Sequence, residues 1–306
     1  MISIIILNWN GVEYLKKCIP SVEEAVGFYR KDCEIIVVDN ASSDDSLEYL
    51  QRDFPKVRLV ALAENFGFAK GMNEGVKQAS GDIIIGLNND IVVTRDFIYP
   101  LISHFSKENE LFAVAAKMLL WDRKTLNFGR AVGNFKFGVF RRSFEEPSAA
   151  CNALYACGGA FAADRDKFLE LGGFDEDMIS FWEDLDICYR AWKRGYKTLY
   201  EPGALVYHKL HGSFEKKCGQ GGVRLISGEN YFLFVIKNIH DRWLVAKHLL
   251  SLPLLMIVSF VLLRPHFTMG LIRSARRWPV FLEKRRQEKS RSRFCDREVL
   301  AISGRR

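Results

Sequence analysis

Residues 80–93, SGDIIIGLNNDIVV, end a strongly apolar run in three polar side chains, Asn88, Asn89 and Asp90. Polar groups at the carboxyl end of a buried strand face the crevice where open α/β sheets bind ligands. An Asp oxygen beside an amide suits Mg²⁺ or Mn²⁺, which take oxygen ligands and complete their shells with substrate phosphates. Asn-Asn-Asp is equally ordinary turn chemistry. A second acidic pair, Glu183 and Asp184, follows Phe181-Trp182 and opens a helix. A carboxylate there can take the proton from an attacking hydroxyl. Acids in a first helical turn are also stabilised by the macrodipole with no catalytic duty. His208, in VYHKLHGS, can ligate a metal through one imidazole nitrogen, with His211 as its competitor.

Two further segments face the same crevice. The first strand ends in Asn8, Trp9 and Asn10, and the second in Asp39, whose carboxylate can accept from the N–H of a uracil or thymine ring. Asp39 reads equally well as a turn acid, and Ser43 or Asp44 as a helix cap. ENFGFAKGMNEG, residues 64–75, joins a strand to a helix with Asn65, Lys70 and Asn73, and a helix start beside a Lys favours anions. It is not a Walker A sequence, and no GxGxxG follows the first strand, so triphosphate hydrolysis and dinucleotide redox chemistry lose support.

The elements that must hold these residues follow a βαβ rhythm. Residues 2–7, 34–38, 57–62 and 83–87 read as strands. Residues 12–26, 44–53 and 68–80 carry apolar side chains at helical spacing. Residues 121–147 lose that pattern and suggest irregular hairpins or a loop over the active face. Regular structure resumes at 153–163, followed by helices over 164–171 and 183–194 and a strand over 197–200.

IIILNWNG, VVDNASSDDS, ENFGFAKGMNEG, SGDIIIGLNND, CGGAFAADRDKFLELGGFDE, FWEDLDICYRAWKRG and VYHKLHGS together resemble, in order and spacing, family 2 glycosyltransferases of the GT-A fold, most closely a rhamnosyltransferase-like branch. The resemblance covers residues 1–213. It implies a Rossmann-like, mostly parallel α/β sheet flanked by helices, with a catalytic domain over 1–240, its nucleotide-sugar half about 1–120 and its acceptor half about 121–240. It implies that Asn8, Asp39, Asn65 and Asp82 contact the nucleoside, with Asn10, Lys70, Asn73 and Asn89 as companions. Asn88 and Asp90 stand at the DXD motif, Asn88 departing from its Asp; Asp90, His208 and Asn88 would hold Mg²⁺ or Mn²⁺, with Asn88 also among the nucleotide-sugar contacts. Asp184 would be the catalytic base, with Glu183 in reserve, and Gly158, Gly159 and Trp182 would shape the acceptor side. The implied reaction is inverting transfer of a sugar, L-rhamnose first, from a dTDP- or UDP-sugar to a glycan or lipid-linked acceptor in cell-surface polysaccharide or cell-wall synthesis. A sugar-phosphate nucleotidyltransferase would instead show a Gly-rich, basic loop after the first strand, where this chain has NWNGVEYLKK. A catalytically silent membrane scaffold is the non-enzymatic alternative.

Composition bounds the setting. Seven Cys among 306 residues, without metal or disulfide spacing, suit a reducing compartment. The opening MISIIILNWN lacks a basic n-region and reads as a core strand rather than a signal peptide. From residue 264 onward stand thirteen Lys or Arg against four Asp or Glu, so the net charge of +7 belongs to a basic tail and not to a nucleic-acid groove. The preceding LLSLPLLMIVSFVLL, residues 249–263, has no charge but falls short of the roughly twenty residues that span a bilayer. Residues 241–306 are therefore expected to form an apolar helical segment and basic tail. Their partner would be the inner face of the cytoplasmic membrane or a second subunit.

Overall fold

A computed structural model describes residues 1–209, 218–262 and 265–304 in full, together with the backbone of 213–217. His211, Leu263 and Arg264 lie outside the described residues. The expected βαβ units are present as β1 (Ile2–Asn8), α1 (Val12–Tyr29), β2 (Cys33–Asp39), α2 (Ser46–Asp53), β3 (Arg58–Ala61), α3 (Gly67–Gln78) and β4 (Ile83–Asn88). Their apolar runs have no polar face because helices cover both sides of a parallel sheet, and Ile4, Ile5, Ile6, Ile84 and Ile85 are almost wholly buried.

The chain continues through β5 (Ile91–Val93), α4 (Ile98–Ile102), β6 (Leu111–Leu120), β7 (Leu126–Phe128), β8 (Arg130–Lys136), β9 (Val139–Glu145), β10 (Cys151–Asn152), β11 (Ala160–Asp164), α5 (Arg165–Glu170), α6 (Glu183–Arg194) and β12 (Lys197–His208). The main sheet runs β10-β12-β6-β11-β4-β1-β2-β3, parallel from β4 to β3, with β11 antiparallel between β4 and β6. The patternless stretch over 121–147 is mostly the separate β8–β9 hairpin. Residues 153–159 form no strand, and β12 is three times as long as the four residues expected for it.

Helices α7 (Ser213–Asn238), α8 (Arg242–Val261), α9 (His266–Ala275), α10 (Trp278–Arg291) and α11 (Asp296–Ser303) complete the chain. Much of the basic tail folds back onto the body. Lys284 bonds Asp175 and Asp177, Arg277 pairs with Glu229 and Asp177, Arg194 holds Glu288, and Arg285 donates to the carbonyls of Ile236 and Ile239. Under this layer Asp186 is fully buried against Arg190, Lys237 and Asn238. Burial works to raise its pKa, but Lys237 and Arg190 outweigh that and hold it below the usual carboxylate value. Removing one partner of such a network costs about 3–5 kcal/mol.

α8 begins seven residues before the charge-free run, at the cap made by Asp241, and is long and apolar enough to cross a membrane by length and composition. Leu250 and Phe260 are each 81 % exposed, and Leu254, Ile257 and Val261 lie open beside them.

Candidate active site

Strand register gathers the polar ends. Asn8 pairs with Asp39 across β1–β2, and Leu7 with Asn88 across β1–β4, so the three strand ends share one edge. Asn8 is buried and organises it: its Nδ2 donates to Asp39 Oδ1 at 2.9 Å and to Ser42 Oγ, and its Oδ1 accepts from Asn89 Nδ2 at 2.7 Å. Gly11 makes room for this contact, because a Cβ there would sit 2.0 Å from Asn89 Nδ2. Asp39 also accepts from the N–H and hydroxyl of Ser42, and Asn10 Oδ1 accepts from Ser43 N.

Asp90 and His208 meet because β5 pairs antiparallel with β12, setting His208 opposite Ile91, while Lys209 N donates to the Asp90 carbonyl. His208 Nε2 lies 3.4 Å from Asp90 Oδ1, and that oxygen is buried with no hydrogen-bond partner. Asn127 Oδ1, 2.9 Å from His208 Nδ1, draws the ring proton to Nδ1 and leaves the Nε2 lone pair facing Asp90. An orphaned carboxylate oxygen and an imidazole lone pair 3.4 Å apart would suit two ligands of one divalent cation. Among the described residues no third His, Cys, Asp or Glu joins them, which leaves the remaining positions to amides, water or substrate oxygens. Asn88 stands beside the pair on the wall of the same crevice.

Across from the pair, Asp184 Oδ2 accepts from Gly158 N at 3.1 Å and Oδ1 from Leu185 N at 2.7 Å. Burial raises the Asp184 pKa above the ordinary value, with the Arg142 guanidinium opposing it. Glu183 is pushed further, by burial first and then by the charge of Asp184, and its Oε2 has no partner. Of the two, Asp184 is the one that ionises first. Asp186, two residues on and so near the opposite side of α6, belongs to the buried network instead.

The acids sit where they do because the turn before α6 is strained: Phe181 and Trp182 have φ of 69° and 75°. Left-handed backbone at bulky residues costs about 1–3 kcal/mol each and persists only when its surroundings over-determine it. α7 does so. Asn230 Nδ2 donates to the Ser180 and Phe181 carbonyls, Ser227 Oγ accepts from Trp182 Nε1, and Tyr231 and Phe234 pack on the Trp182 ring.

Two hollows result. One, of about 370 Å³, is lined by Asn88, Arg142, Tyr155, Gly158, Gly159, Trp182, Glu183, Asp184 and His208. The other, of about 140 Å³, is lined by Leu7, Trp9, Asn40, Asn65, Asn88, Asn89, Asp90 and Ser180, with Phe68, Asn88 and Ser180 common to both.

Three expected nucleotide contacts lie elsewhere. Asp82 stands at the amino end of β4, with its side chain 90 % exposed and paired to the Met1 amine, a strand's length from the crevice. Asn73 is buried and spends its amide on the Phe174 backbone and Glu176, tying α3 to the Gly173 turn. Lys70 lies over the Phe66 ring at 3.7 Å, and the α3 start is no anion site: Phe68 N and Ala69 N both donate to the Ile179 carbonyl, and Gly67 N to Asn65 Oδ1. Sequence reasoning missed Arg142, Tyr155 and Asn127, none of which stands in a recognisable motif. Asn40, beside Asp39, was legible from its position; its side chain bridges Gly67 O and Phe66 N.

A sheet with its crevice at the parallel strand ends, an acid–imidazole pair there and helices on both faces is the GT-A fold. Solved structures share it: TarS residues 1–349 of Staphylococcus aureus with UDP-GlcNAc (TM-score 0.60, 15 % identity, 94 % of this chain and 91 % of that one) and GalNAc-T7 with UDP, GalNAc and Mn²⁺ (0.62, 21 %, 79 % and 48 %). A mannosyltransferase from Pyrobaculum calidifontis with GDP-Man and Mn²⁺ is also similar (0.54, 13 %, 94 % and 86 %). The chain belongs to glycosyl transferase family 2, whose pattern matches residues 3–172. Among curated relatives, poly-beta-1,6-N-acetyl-D-glucosamine synthase of S. aureus is 25 % identical over 270 residues, 85 % of this chain. That of Staphylococcus epidermidis is 27 % identical over 210 residues, 67 % of this chain. The chain spans 64 % and 49 % of those relatives' own lengths.

Proposed function

We propose that this chain is a metal-dependent, inverting glycosyltransferase that moves a hexose from a nucleoside-diphosphate sugar to a hydroxyl of a glycan or lipid-linked acceptor. The observation that carries the reading is one crevice that joins the Asp90–His208 pair to the buried Asp184 across a shared wall. The smaller hollow takes the nucleoside, between Trp9, Asn40 and Asn65, and the larger one the sugar and acceptor. Asp90 and His208, with Asn88 beside them, hold Mg²⁺ or Mn²⁺. When bound, that cation supplies Lewis-acid stabilisation of the departing diphosphate. Asp184, fixed by two backbone N–H groups, takes the acceptor hydroxyl's proton.

Incubating purified protein with UDP-N-acetylglucosamine, dTDP-L-rhamnose and GDP-mannose plus Mn²⁺ is expected to release nucleoside diphosphate from at least one. L-Rhamnose is the donor sugar expected from the sequence, and UDP-GlcNAc and GDP-Man are donors bound by structural neighbours. Pyrophosphate release from a triphosphate, or no release at all, rules the reading out. The pH profile follows from Asp184: transfer needs its carboxylate, and burial raises its pKa. Activity is therefore full at high pH and lost as pH falls through that raised value, an acid limb above the ordinary carboxylate range. A limb at the ordinary Asp value would assign the base elsewhere.

We also propose a division near residue 240, between a catalytic body and an apolar unit that rests on the inner face of the cytoplasmic membrane. The open apolar side chains of α8, Met269 and Ile272 on α9, and exposed Arg276, Lys289 and Arg291 nearby suit an anionic leaflet. Flotation with vesicles containing anionic lipid is expected to carry the protein upward. A chain that stays down and sediments as a dimer would mean that a second copy covers this face.

A further inference from the structure

Arg142 lines the larger hollow, and the transfer reading assigns it no ligand. It projects from β9, off the main sheet, and its guanidinium lies 4.6 Å from the Trp182 ring centroid and 5.7 Å from that of Tyr155. Its only hydrogen bond among the described residues runs from Nη1 to Tyr155 Oη at 3.0 Å. Among the described residues no carboxylate forms an ion pair with it, whereas Arg130, Arg190, Arg194 and Lys237 are each buried against an Asp or Glu. A guanidinium has five N–H donors. The others open onto the hollow, where a ligand can take them in place of water.

We propose that the acceptor carries an oxyanion, a phosphate or carboxylate on its sugar or polyol unit, and that Arg142 receives it while the neighbouring hydroxyl faces Asp184. This rests on the transferase reading above. The planar fork, stacked on an aromatic face, matches the two oxygens of such a group in a way an ammonium cannot. Arg142 and Asp184 line the same 370 Å³, so one acceptor unit reaches both. No hydrogen bond or ion pair joins Arg142 to Asp184 among the described residues, and each Asp184 oxygen is held by a backbone N–H. Arg142 lines the larger hollow and not the one with Asp90, Asn65 and Trp9, and saturation with UDP in the test keeps the donor's diphosphate site filled.

The test is calorimetric binding to full-length protein saturated with UDP and Mn²⁺, using methyl β-glucoside, its 6-phosphate and methyl β-glucuronide as probes. At least one charged probe is expected to bind tenfold or more tighter than the neutral one, and the better of the two names the oxyanion. Arg142→Gln should erase the preference and Arg142→Lys should keep part of it, with thermal melts reporting whether each variant is folded. If Arg142→Gln does not fold, a reduced preference in Arg142→Lys carries the result. Equal binding of the three probes, no binding of any, or a preference that vanishes when UDP is present would overturn the proposal. Wild-type protein that binds no UDP would instead count against the transferase reading itself.

Discussion

Asp184→Asn is expected to lower sugar transfer by about 10²–10⁴-fold, the usual contribution of a positioned base, while donor binding persists. The substitution keeps shape and removes the proton acceptor. It also trades one carboxylate oxygen for an N–H₂ group that cannot accept from both Gly158 N and Leu185 N. One of those bonds is lost, at about 1–3 kcal/mol for the donor left unsatisfied, so thermal melts must accompany the kinetics. Glu183→Gln is the matched control. Its parent carboxyl is buried, holds its proton to higher pH and lacks a partner at Oε2, so this change should leave more activity than Asp184→Asn. The reverse ranking, in two folded variants, would move the base to Glu183; full activity in Asp184→Asn would remove it from α6 altogether.

The second large effect is at the cation pair. Asp90→Asn or His208→Ala should depress turnover at saturating donor by about 3 kcal/mol or more, over a hundredfold at 25 °C. The signature is non-additivity: the proposal gives both side chains to one ion, so the double variant should be little worse than either single one. Chelation of wild-type protein should give the same loss, reversed by Mn²⁺, and Asp90→Asn should need far more Mn²⁺ for half-activation. Undiminished turnover in chelator would end the case for a cation at this site.

Legibility in the sequence tracks how local each cause is. Apolar runs marked β1, β2 and β4, because burial on both faces leaves no polar alternation, while β3 at the sheet edge is half-exposed; β4 begins where expected and ends one residue later. The acids that open α6 were legible for the same kind of reason, since a helix boundary is written in neighbouring residues. Where a side chain then points was not. Asp184 and Asp186 stand two residues apart in EDLD, and the turn of the helix sends Asp186 into a buried ion-pair network and Asp184 into the hollow. Asp82 and Asn73 sat inside well-marked motifs and proved to be a surface ion pair and a buried tie. A motif states which residues travel together, and the strand direction decides which end faces the ligand.

By itself the sequence determined the α/β rhythm and the polar strand ends, and it singled out Asp90, Asp184 and His208, on which the proposed chemistry rests. Only the tertiary structure decided that β5 meets β12 to bring Asp90 to His208, and that α7 clamps the strained Phe181–Trp182 turn. It also decided that the β8–β9 hairpin delivers Arg142, and that Arg273, Arg277 and Lys284 of the basic tail pair with the buried acids Glu229 and Asp175. The reason is physical. Strand and helix propensity act over a few residues, whereas an ion pair, an orphaned oxygen or a stacked guanidinium exists only once segments far apart in the chain have been packed together.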